Sequence, residues 1–244
     1  MFTRSRSTLI LFLSAALTIF SRAESPAVKG MDSGQAPLHF VTPASVDFVK
    51  LIPAPARLES AEYKAEMDTI LRVQEQRTEA DIARAKSEHK LKIGAFQSVL
   101  GDWVTPEKLP LTAKLIKNAE GDSKFFSGAA KDFFGRPRPK HDPRVKPTLD
   151  GEDEPSYPSG HATRGLLFAS ILSELDPDHR DALMERGREI GWDRIVAGLH
   201  HPSDIVAGRM LGQALFQAMM SNPEFQKDLA AAKEEYAAAK AMAK

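Results

Sequence analysis

The sequence predicts an all-α protein that forms a single-domain helical bundle. Residues 60–91 are mostly Ala, Glu, Lys, Arg, Gln and Met, which are good helix formers. A capping residue precedes a proline at Thr105, Asp176 and Asn222, and this pair is typical of a helix start. No stretch shows the period-two alternation of a strand, and no internal repeat is present. A chain of 244 residues is long enough to bury the core of one such domain.

The first 58 residues are predicted to lie outside the helical domain. Residues 1–23 are typical of a signal peptide, because two arginines precede an apolar run and Ser-Arg-Ala ends it. The apolar run is short for a membrane span, and an uncleaved N-terminal anchor is the alternative. Residues 24–58 are rich in Pro, Ala and Ser and predict an extended arm that wraps the domain. The helical domain then comprises residues 59–244.

The first helices are predicted from apolar periodicity and from start signals. Apolar side chains within residues 60–91 follow one helical stripe, and a shorter apolar piece covers residues 93–100. A helix is then predicted to begin with Thr105 as its N-cap and a proline at its first position. A further helix is expected over about residues 122–134 and ends at Gly135.

An irregular loop is predicted over residues 136–158, which contain six prolines and an acidic run. Long loops without secondary structure of their own are often functional. The alternative is a solvent-exposed surface loop that has no functional role. Helix signals are dense after this loop. Helices are predicted over residues 159–175, from Asp176 towards Leu199, from Pro202 onward and from Asn222 to the C-terminus.

The composition excludes several classes of protein. The 33 basic residues balance the 33 acidic ones, so a general nucleic-acid-binding protein is not expected. Positive charge is concentrated instead in residues 131–138. Signal cleavage after Ala23 would remove three arginines and leave the mature chain weakly acidic. The sequence has no cysteine, which excludes cysteine catalysis and thiolate metal sites, so the core alone must stabilise an exported chain.

Three separated clusters carry chemistry that suits a phosphoryl group. In the first, Lys131 is followed beyond Gly135 by Arg138, so that the two cations could converge on an anion from different directions. A planar guanidinium donates two parallel hydrogen bonds, and a lysine adds a compact charge. Basic residues near a helix C-terminus are also common for dipole reasons, so this pair alone is weak evidence.

The second cluster, residues 158–161, has the sequence Pro-Ser-Gly-His. Ser159 is a good N-cap, and Gly160 allows a ligand to approach free backbone N–H groups at the positive end of a helix. His161 is unusual in a first turn, where imidazolium is disfavoured. The alternative is an ordinary serine cap followed by a surface histidine.

The third cluster begins at Arg194 and places His200 and Asp204 four residues apart. If His201 is the N-cap of the next helix, Asp204 lies at the third helical position and can reach back. A carboxylate bonded to one ring nitrogen fixes the imidazole tautomer and leaves the other nitrogen free as a nucleophile. The alternative is a plain capping arrangement with two exposed histidines.

Together the three clusters resemble the three-part signature of the phosphatidic-acid-phosphatase type 2 superfamily, in order and in internal spacing. That superfamily covers lipid phosphate phosphatases, bacterial class A non-specific acid phosphatases and vanadium-dependent haloperoxidases. The chain is most similar to the class A acid phosphatases, because the signal peptide, the arm, the charged helix after Ser60, the Ser156-Tyr157 pair and residues 222–225 resemble them too. The resemblance implies an all-helical, metal-independent phosphomonoesterase of the periplasm, often an oligomer.

The resemblance also implies a role for each motif residue. His200 would be the nucleophile that forms a phosphohistidine, and Asp204 would orient it. His161 would protonate the leaving oxygen and later activate water. The phosphate-binding set would comprise Lys131, Arg138, Ser159, Gly160 and Arg194. Motif spacing selects Arg138 rather than Arg136, and neither a metal nor a cofactor is implied.

Two residues depart from the family pattern. Asp193 stands where the family usually has serine, immediately before the motif arginine, and a carboxylate there is electrostatically awkward. It either points away and pairs with Arg194 or another neighbour, or weakens anion binding. His201 occupies a place often held by tryptophan in similar proteins, which bears on the leaving-group pocket.

The sequence therefore predicts an exported, periplasmic acid phosphatase of small phosphomonoesters, and leaves phosphotransfer to alcohols open. The alternatives are a vanadate-dependent haloperoxidase, a soluble lipid or diphosphate phosphatase, and a non-enzymatic phosphate-binding protein. The expected partners are small-molecule substrates and further copies of the chain, without nucleic acid. No stable membrane insertion is expected after signal cleavage.

Overall fold

The computed structural model describes residues 37–150 and 152–243, and this part of the chain is helical without any strand. The all-α prediction is confirmed. The predicted signal peptide lies outside the described residues. The helices are α1 (Phe48–Leu51), α2 (Ala61–Gln76), α3 (Glu79–Ser87), α4 (Gln97–Leu100), α5 (Pro110–Phe134), α6 (Gly160–Leu175), α7 (Arg180–Val196), α8 (Pro202–Met220) and α9 (Pro223–Met242). Short 3-10 turns cover Ile93–Phe96, Pro139–His141 and Pro177–His179.

Helix α6 is the central element of the bundle. It packs against α5, α7, α8 and α9, and most of its residues are buried. Its apolar side chains include Leu167, Phe168 and Ala169, which are all fully buried and, as consecutive residues, point about 100° apart around the helix axis. A helix that is apolar all round is stable only inside a protein, so the other helices enclose it. The polar first turn of α6 is therefore held at a fixed place among its neighbours.

Close backbone contacts set the spacing of α6 from its two main partners. A Cβ atom added to Gly165 would stand 2.8 Å from the carbonyl oxygen of Gly187 in α7. A Cβ atom added to Gly212 in α8 would stand 2.5 Å from the carbonyl oxygen of Thr163. Both distances are too short for a real Cβ atom. The helices can therefore approach this closely only because glycine occupies the contact.

Helix α5 differs from the prediction in its start and in its length. The turn at Thr105 forms, since the Leu109 N–H donates to the Thr105 carbonyl oxygen at 2.9 Å, but the helix begins only at Pro110. From there it runs unbroken to Phe134, so the two helices predicted here are one. The helix begins at Pro110 because the carboxylate of Glu235, in α9, accepts hydrogen bonds from the first free N–H groups of α5. The predicted end at Gly135 is observed, with a φ of 58°.

Residues 60–91 contain two helices rather than one continuous stripe. The Thr78 side chain accepts from the Asp81 N–H, and Asp81 bonds back to the Thr78 N–H, so a capping box starts α3 within the predicted helix. Arg77 is extended at the break, and its guanidinium donates to the carbonyl oxygens of Val196 and Lys146 at 2.7 Å each. These long-range bonds compensate for the interrupted helix.

Residues 37–58, the described part of the predicted arm, pack onto the helices. Phe40 and Phe48 are buried in the main core. The backbone N–H groups of His39 and Phe40 each donate a hydrogen bond of 2.8 Å to the carboxylate of Asp122 in α5.

The loop predicted over residues 136–158 is irregular apart from one 3-10 turn. The four helices after this loop start where their capping signals predict or within a few residues of that place.

Replacing Gly212 by Ala is expected to lower the free energy of unfolding by ~1–3 kcal/mol, because the new methyl group would collide with backbone of α6. Gly121→Ala in α5 is the matched control, since no atom lies within 4 Å of its Cβ position. Alanine favours a helix interior over glycine by about 1 kcal/mol, so the control should be at least as stable as the wild type. Thermal and denaturant unfolding measure both variants, and equal destabilisation would contradict the packing described.

Candidate active site

The fold brings the three predicted clusters to one end of α6. Lys131 lies near the end of α5 and Arg138 follows in the loop, while Arg194 lies in the last turn of α7. Seven of the eight predicted site residues are buried, and Gly160 is partly exposed. A network of hydrogen bonds and ion pairs connects side chains that are far apart in the chain. Among the predicted residues, this network includes Lys131, Arg138, Arg194, His200 and Asp204. Ser159, Gly160 and His161 form the start of α6 beside it.

His200 is held at both ring nitrogens. Its Nδ1 lies 3.2 Å from Oδ2 of Asp204, and its Nε2 lies 3.1 Å from Nη1 of Arg138. A carboxylate only accepts hydrogen bonds and a guanidinium only donates them, so the proton belongs on Nδ1 and the lone pair on Nε2. Burial lowers the pKa of His200 to about 4, against the opposing effect of Asp204. The imidazole is therefore neutral near neutral pH.

Asp204 is at the third position of α8, where the capping argument places it. Its Oδ2 accepts from the backbone N–H of His201 at 2.8 Å, and Pro202 is the first residue of the helix. Burial favours a higher pKa for this carboxyl group, but hydrogen bonds from His200 and His201 outweigh it and hold the pKa well below its ordinary value. Asp204 is therefore ionised and holds the tautomer of His200.

Arg136 is a site residue that the sequence interpretation missed. Its Nη1 donates to Oδ1 of Asp204 at 2.7 Å and to Oγ of Ser203 at 2.8 Å, and its Nη2 reaches Glu66 of α2 at 2.5 Å. Arg136 therefore binds Asp204, while Arg138 contacts His200. Motif spacing selected Arg138 as the phosphate-binding arginine and gave Arg136 no role. The partner of Arg136 in α2 is 70 residues away in sequence, so no local pattern indicated this contact.

Two carboxylates of the loop lie among the predicted phosphate-binding cations. Glu152 bonds to Nη2 of Arg194 at 2.6 Å and to Nη1 of Arg138 at 2.7 Å, and its Oε2 is 3.9 Å from Nε2 of His200. Glu154 bonds to Nη2 of Arg138 at 2.9 Å and lies 3.5 Å from Nζ of Lys131. The cations thus already surround anionic oxygen atoms. The only sequence signal for these residues was the acidic run of the loop.

The cations themselves are arranged for an anion. Burial and, after it, the charge of Arg138 lower the pKa of Lys131 to about 8. Arg194 is fully buried, and its Nε and Nη1 have no hydrogen-bond partner among the described residues. A buried guanidinium with free donors is costly unless an acceptor meets it. Glu152 accepts only from Nη2 of Arg194, so Nε and Nη1 remain as donors for a phosphoryl group.

His161 lies in the first turn of α6, next to the Ser159 cap, whose Oγ accepts from the Ala162 N–H at 3.3 Å. Its Nε2 is 3.2 Å from the carbonyl oxygen of His89, and a carbonyl only accepts, so Nε2 carries a proton. Burial and the neighbouring charge of Arg194 hold the pKa of His161 well below its ordinary value. An anion bound among the cations would act in the opposite direction and favour the imidazolium.

The two departures from the family pattern both have partners other than Lys131, Arg138 and Arg194. Asp193 is buried and accepts two hydrogen bonds of 2.8 Å from Arg84 of α3, so it pairs with a neighbour other than Arg194. His201 packs against the ring of Tyr63, with 5.6 Å between centroids, and its Nδ1 lies 3.4 Å from Asp204. Neither residue therefore needs to weaken the anion site.

Comparison with known proteins agrees with this arrangement. Residues 119–227, which contain all three motifs, match the PAP2 superfamily. The resemblance inferred from the motifs is confirmed.

Two curated relatives are similar to more than half of the chain. A non-specific acid phosphatase of Providencia stuartii is 35% identical over 150 residues, which cover 59% of this chain and 60% of that protein. A non-specific acid phosphatase of Salmonella typhimurium is 36% identical over 151 residues, which cover 57% and 58%. The chain thus spans about three-fifths of the length of the curated relatives that it matches.

The fold is shared with a solved structure of lower sequence identity. A bacterial vanadium-dependent iodoperoxidase superimposes with a TM-score of 0.57 at 19% identity, over 75% of this chain and 54% of that one. Among residues 37–150 and 152–243, no helix is long and apolar enough to cross a membrane. The same residues contain no group of three His, Asp or Glu side chains that could hold a metal ion.

Replacing Glu152 by Gln is expected to tighten the binding of inorganic phosphate by about tenfold, because it removes a carboxylate that competes for Arg138 and Arg194. Asp153→Asn is the matched control, since Asp153 belongs to the same loop but is exposed and pairs with Lys140 instead. Titration calorimetry with phosphate measures both variants without any need for turnover. Weaker binding to Glu152→Gln, or the same gain in both variants, would contradict the competition.

Proposed function

We propose that the protein is an acid phosphatase that hydrolyses phosphomonoesters through a phosphohistidine at His200, without a metal ion. The observation that carries this proposal is the position of His200, whose Nδ1 faces Asp204 and whose Nε2 faces the cations. An ionised aspartate keeps the proton on Nδ1, so the nucleophilic lone pair points towards the place where Lys131, Arg138 and Arg194 hold anionic oxygens. The names of the two curated relatives support the same class of reaction.

The reaction follows from these positions in two steps. In the first, Nε2 of His200 forms a bond to phosphorus, the ester P–O bond breaks, and the leaving oxygen takes a proton from His161. In the second, His161 removes a proton from water, the water oxygen attacks phosphorus, and the N–P bond breaks to release inorganic phosphate. An alcohol in place of water would give phosphotransfer by the same step.

Fixed positive charge supplies most of the stabilisation that the transfer needs. Lys131, Arg138 and Arg194 are buried and positioned before substrate binds, so little reorganisation is needed as charge develops on the phosphoryl oxygens. The positive end of the α6 dipole, at Ser159 and Gly160, adds to the same field. No divalent metal is required for this charge neutralisation.

The protonation of the two histidines sets the expected pH dependence. His200 must be neutral to attack, and its pKa of about 4 means that the reactive form is lost as pH falls through that value. His161 must be protonated for the leaving oxygen to depart, and its pKa rises when the phosphoryl anion binds. A bell-shaped profile with an optimum below neutrality follows for ordinary alcohol leaving groups.

We also propose that the protein acts in the periplasm after removal of residues 1–23, and that it assembles as a homo-oligomer. The sequence pattern of those residues and the similarity to class A acid phosphatases support both statements. The export proposal is tested by the N-terminal sequence of protein recovered from the periplasmic fraction. A mature chain that starts at Met1 would contradict it.

Hydrolysis of p-nitrophenyl phosphate in excess EDTA tests the proposed function. We expect full activity in the chelator and inhibition by vanadate, which mimics the transferring phosphoryl group. His200→Ala should reduce kcat by several powers of ten, because the covalent step is lost. Wild-type enzyme quenched in acid during turnover should carry an acid-labile phosphate that His200→Ala lacks.

Three results would favour other functions. Loss of activity in EDTA that a divalent metal restores would contradict the metal-independent mechanism. Halide oxidation with added vanadate and peroxide, without phosphate release, would identify a haloperoxidase. Binding of phosphate without any turnover would leave only a phosphate-binding role. His141→Ala, at an exposed histidine in the 3-10 turn after Arg138, is the control for His200→Ala.

The role of His161 is tested by leaving groups of different basicity. His161→Ala should reduce kcat severely for alkyl phosphates, because an alkoxide needs a proton in order to leave. The same variant should lose much less activity on p-nitrophenyl phosphate, since p-nitrophenolate departs without one. Rates for both substrates, taken with the same enzyme preparation, give the comparison. Equal losses would show that His161 does not act as the acid.

A further inference from the structure

Arg164 places an additional guanidinium beside the phosphoryl site, outside the three motifs. It lies on α6 one turn after Gly160, and its Nη1 is 3.4 Å from the position that a Cβ atom on Gly160 would occupy. Oγ of Ser127 in α5 is 3.9 Å from that same position. The guanidinium therefore lies over the first turn of α6, on the side that faces α5, and the next residue after Gly160 is His161.

Arg164 lacks the partners that the other buried arginines have. Its side chain is only 13% exposed, and its Nε is buried without a hydrogen-bond partner. The closest carboxylate oxygen, in Glu120, is 4.0 Å from Nε, and Glu120 already pairs with Lys124 at 2.7 Å. By contrast, the buried side chains of Arg136 and Arg138 each make two ion pairs of 2.5 to 2.9 Å. Among the described residues, the donors of Arg164 are thus largely unused.

The charge of Arg164 acts on the catalytic end of the site. It is one of the charges that lower the pKa of His161, after burial and Arg194. Burial also lowers the pKa of Arg164 itself, while Glu120 and the loop carboxylate Glu152 oppose this. Arg164 is therefore close enough to interact with both the proposed acid and the carboxylate that lies among the phosphate-binding cations.

The position of Arg164 relative to His161 suggests which part of a substrate it meets. Lys131, Arg138 and Arg194 converge on the oxygens next to Nε2 of His200, where the transferring phosphoryl group belongs. In the proposed mechanism, His161 serves the opposite side of that group, where the leaving oxygen departs. A cation on the same helix as His161, with donors to spare, faces the leaving group rather than the phosphoryl oxygens.

We propose that Arg164 is a specificity-determining residue that binds a second anionic group on the leaving side of the substrate. The substrate class is a phosphomonoester with a carboxylate or another phosphoryl group a few bonds beyond the scissile P–O bond. This inference rests on the proposed function, because it assumes that His161 marks the leaving side. Arg164 pairs with the anion through two of its N–H groups, which makes the contact both strong and directional.

A matched pair of substrates tests the proposal in the full-length enzyme. Phosphoglycolate carries a carboxylate beside the ester, and 2-hydroxyethyl phosphate carries a hydroxyl group at the same place. Arg164→Gln should reduce kcat/KM for phosphoglycolate by about 10- to 100-fold, the range expected when a charged hydrogen-bond pair is lost. The variant should change kcat/KM for 2-hydroxyethyl phosphate by no more than about threefold. Ethane-1,2-diyl bisphosphate is the second arm, and it shows whether a phosphate group is accepted in place of the carboxylate.

Lys124→Gln is the control variant. Lys124 is an exposed cation that pairs with the same Glu120, so it reports any general effect of charge on this surface. It should leave the ratio of the two kcat/KM values unchanged. Arg164→Lys should recover part of the preference for phosphoglycolate, because it restores the charge without the planar fork. Equal losses on both substrates, or an equal change with Lys124→Gln, would overturn the proposal.

A binding measurement separates this proposal from the proposed function. Phosphonoacetate and methylphosphonate cannot be hydrolysed, and only phosphonoacetate carries a carboxylate. Calorimetry should show that the wild type prefers phosphonoacetate and that Arg164→Gln loses this preference, with thermal unfolding as a check that the variant is folded. Wild-type enzyme that fails to hydrolyse either ester contradicts the proposed function. Wild-type enzyme that binds both phosphonates equally contradicts the role of Arg164.

Discussion

The buried carboxylate of Asp204 is the interaction on which the rest of the site depends. It receives hydrogen bonds from Arg136, from the His201 backbone and from His200, and it is fully buried. An ionised carboxylate out of water is very unfavourable unless such partners surround it. Meeting that demand brings the loop after α5, the loop before α8 and the helix α2 together. Its own carbonyl oxygen accepts from the Ser159 N–H at 2.9 Å, which attaches the start of α6 to the same point.

The cations in front of His200 impose the complementary demand. Lys131, Arg138 and Arg194 are all buried, and like charges so close together repel unless anions lie between them. Glu152 and Glu154 supply that negative charge from the loop. Glu152 does so with a backbone φ of 57°, a left-handed conformation that costs an L-residue on the order of 1 kcal/mol. The electrostatic gain from bridging two guanidinium groups accounts for a conformation that the backbone alone would not favour.

Support for the site extends beyond the PAP2 superfamily segment, into helices that precede residue 119. Glu66 of α2 accepts from Arg136 and from the Ser203 N–H, and Arg84 of α3 holds Asp193 with two hydrogen bonds. The carbonyl oxygen of His89 fixes the proton position on His161. The helices α2 and α3 and the turn after α3 carry none of the motifs, yet together they contact residues in or beside all three of them. Their sequences look like ordinary charged helices because their partners are on other elements.

The sequence by itself determined the features that depend on a few neighbouring residues. The cap at Ser159, the left-handed end of α5 at Gly135 and the reach of Asp204 back to His200 each involve residues no more than four apart, and each is observed. The all-α class follows from the same local signals, since helix hydrogen bonds join residues four apart.

Only the tertiary structure decided which side chains satisfy one another across the bundle. The late start of α5 depends on a hydrogen bond to Glu235. The position of Arg136 depends on Glu66, and the orientation of Asp193 depends on Arg84. These partners are between 70 and 123 residues apart in the chain. A buried charge accepts whichever counter-charge the packing brings within about 3 Å, and nothing in the local sequence specifies which helix that will be.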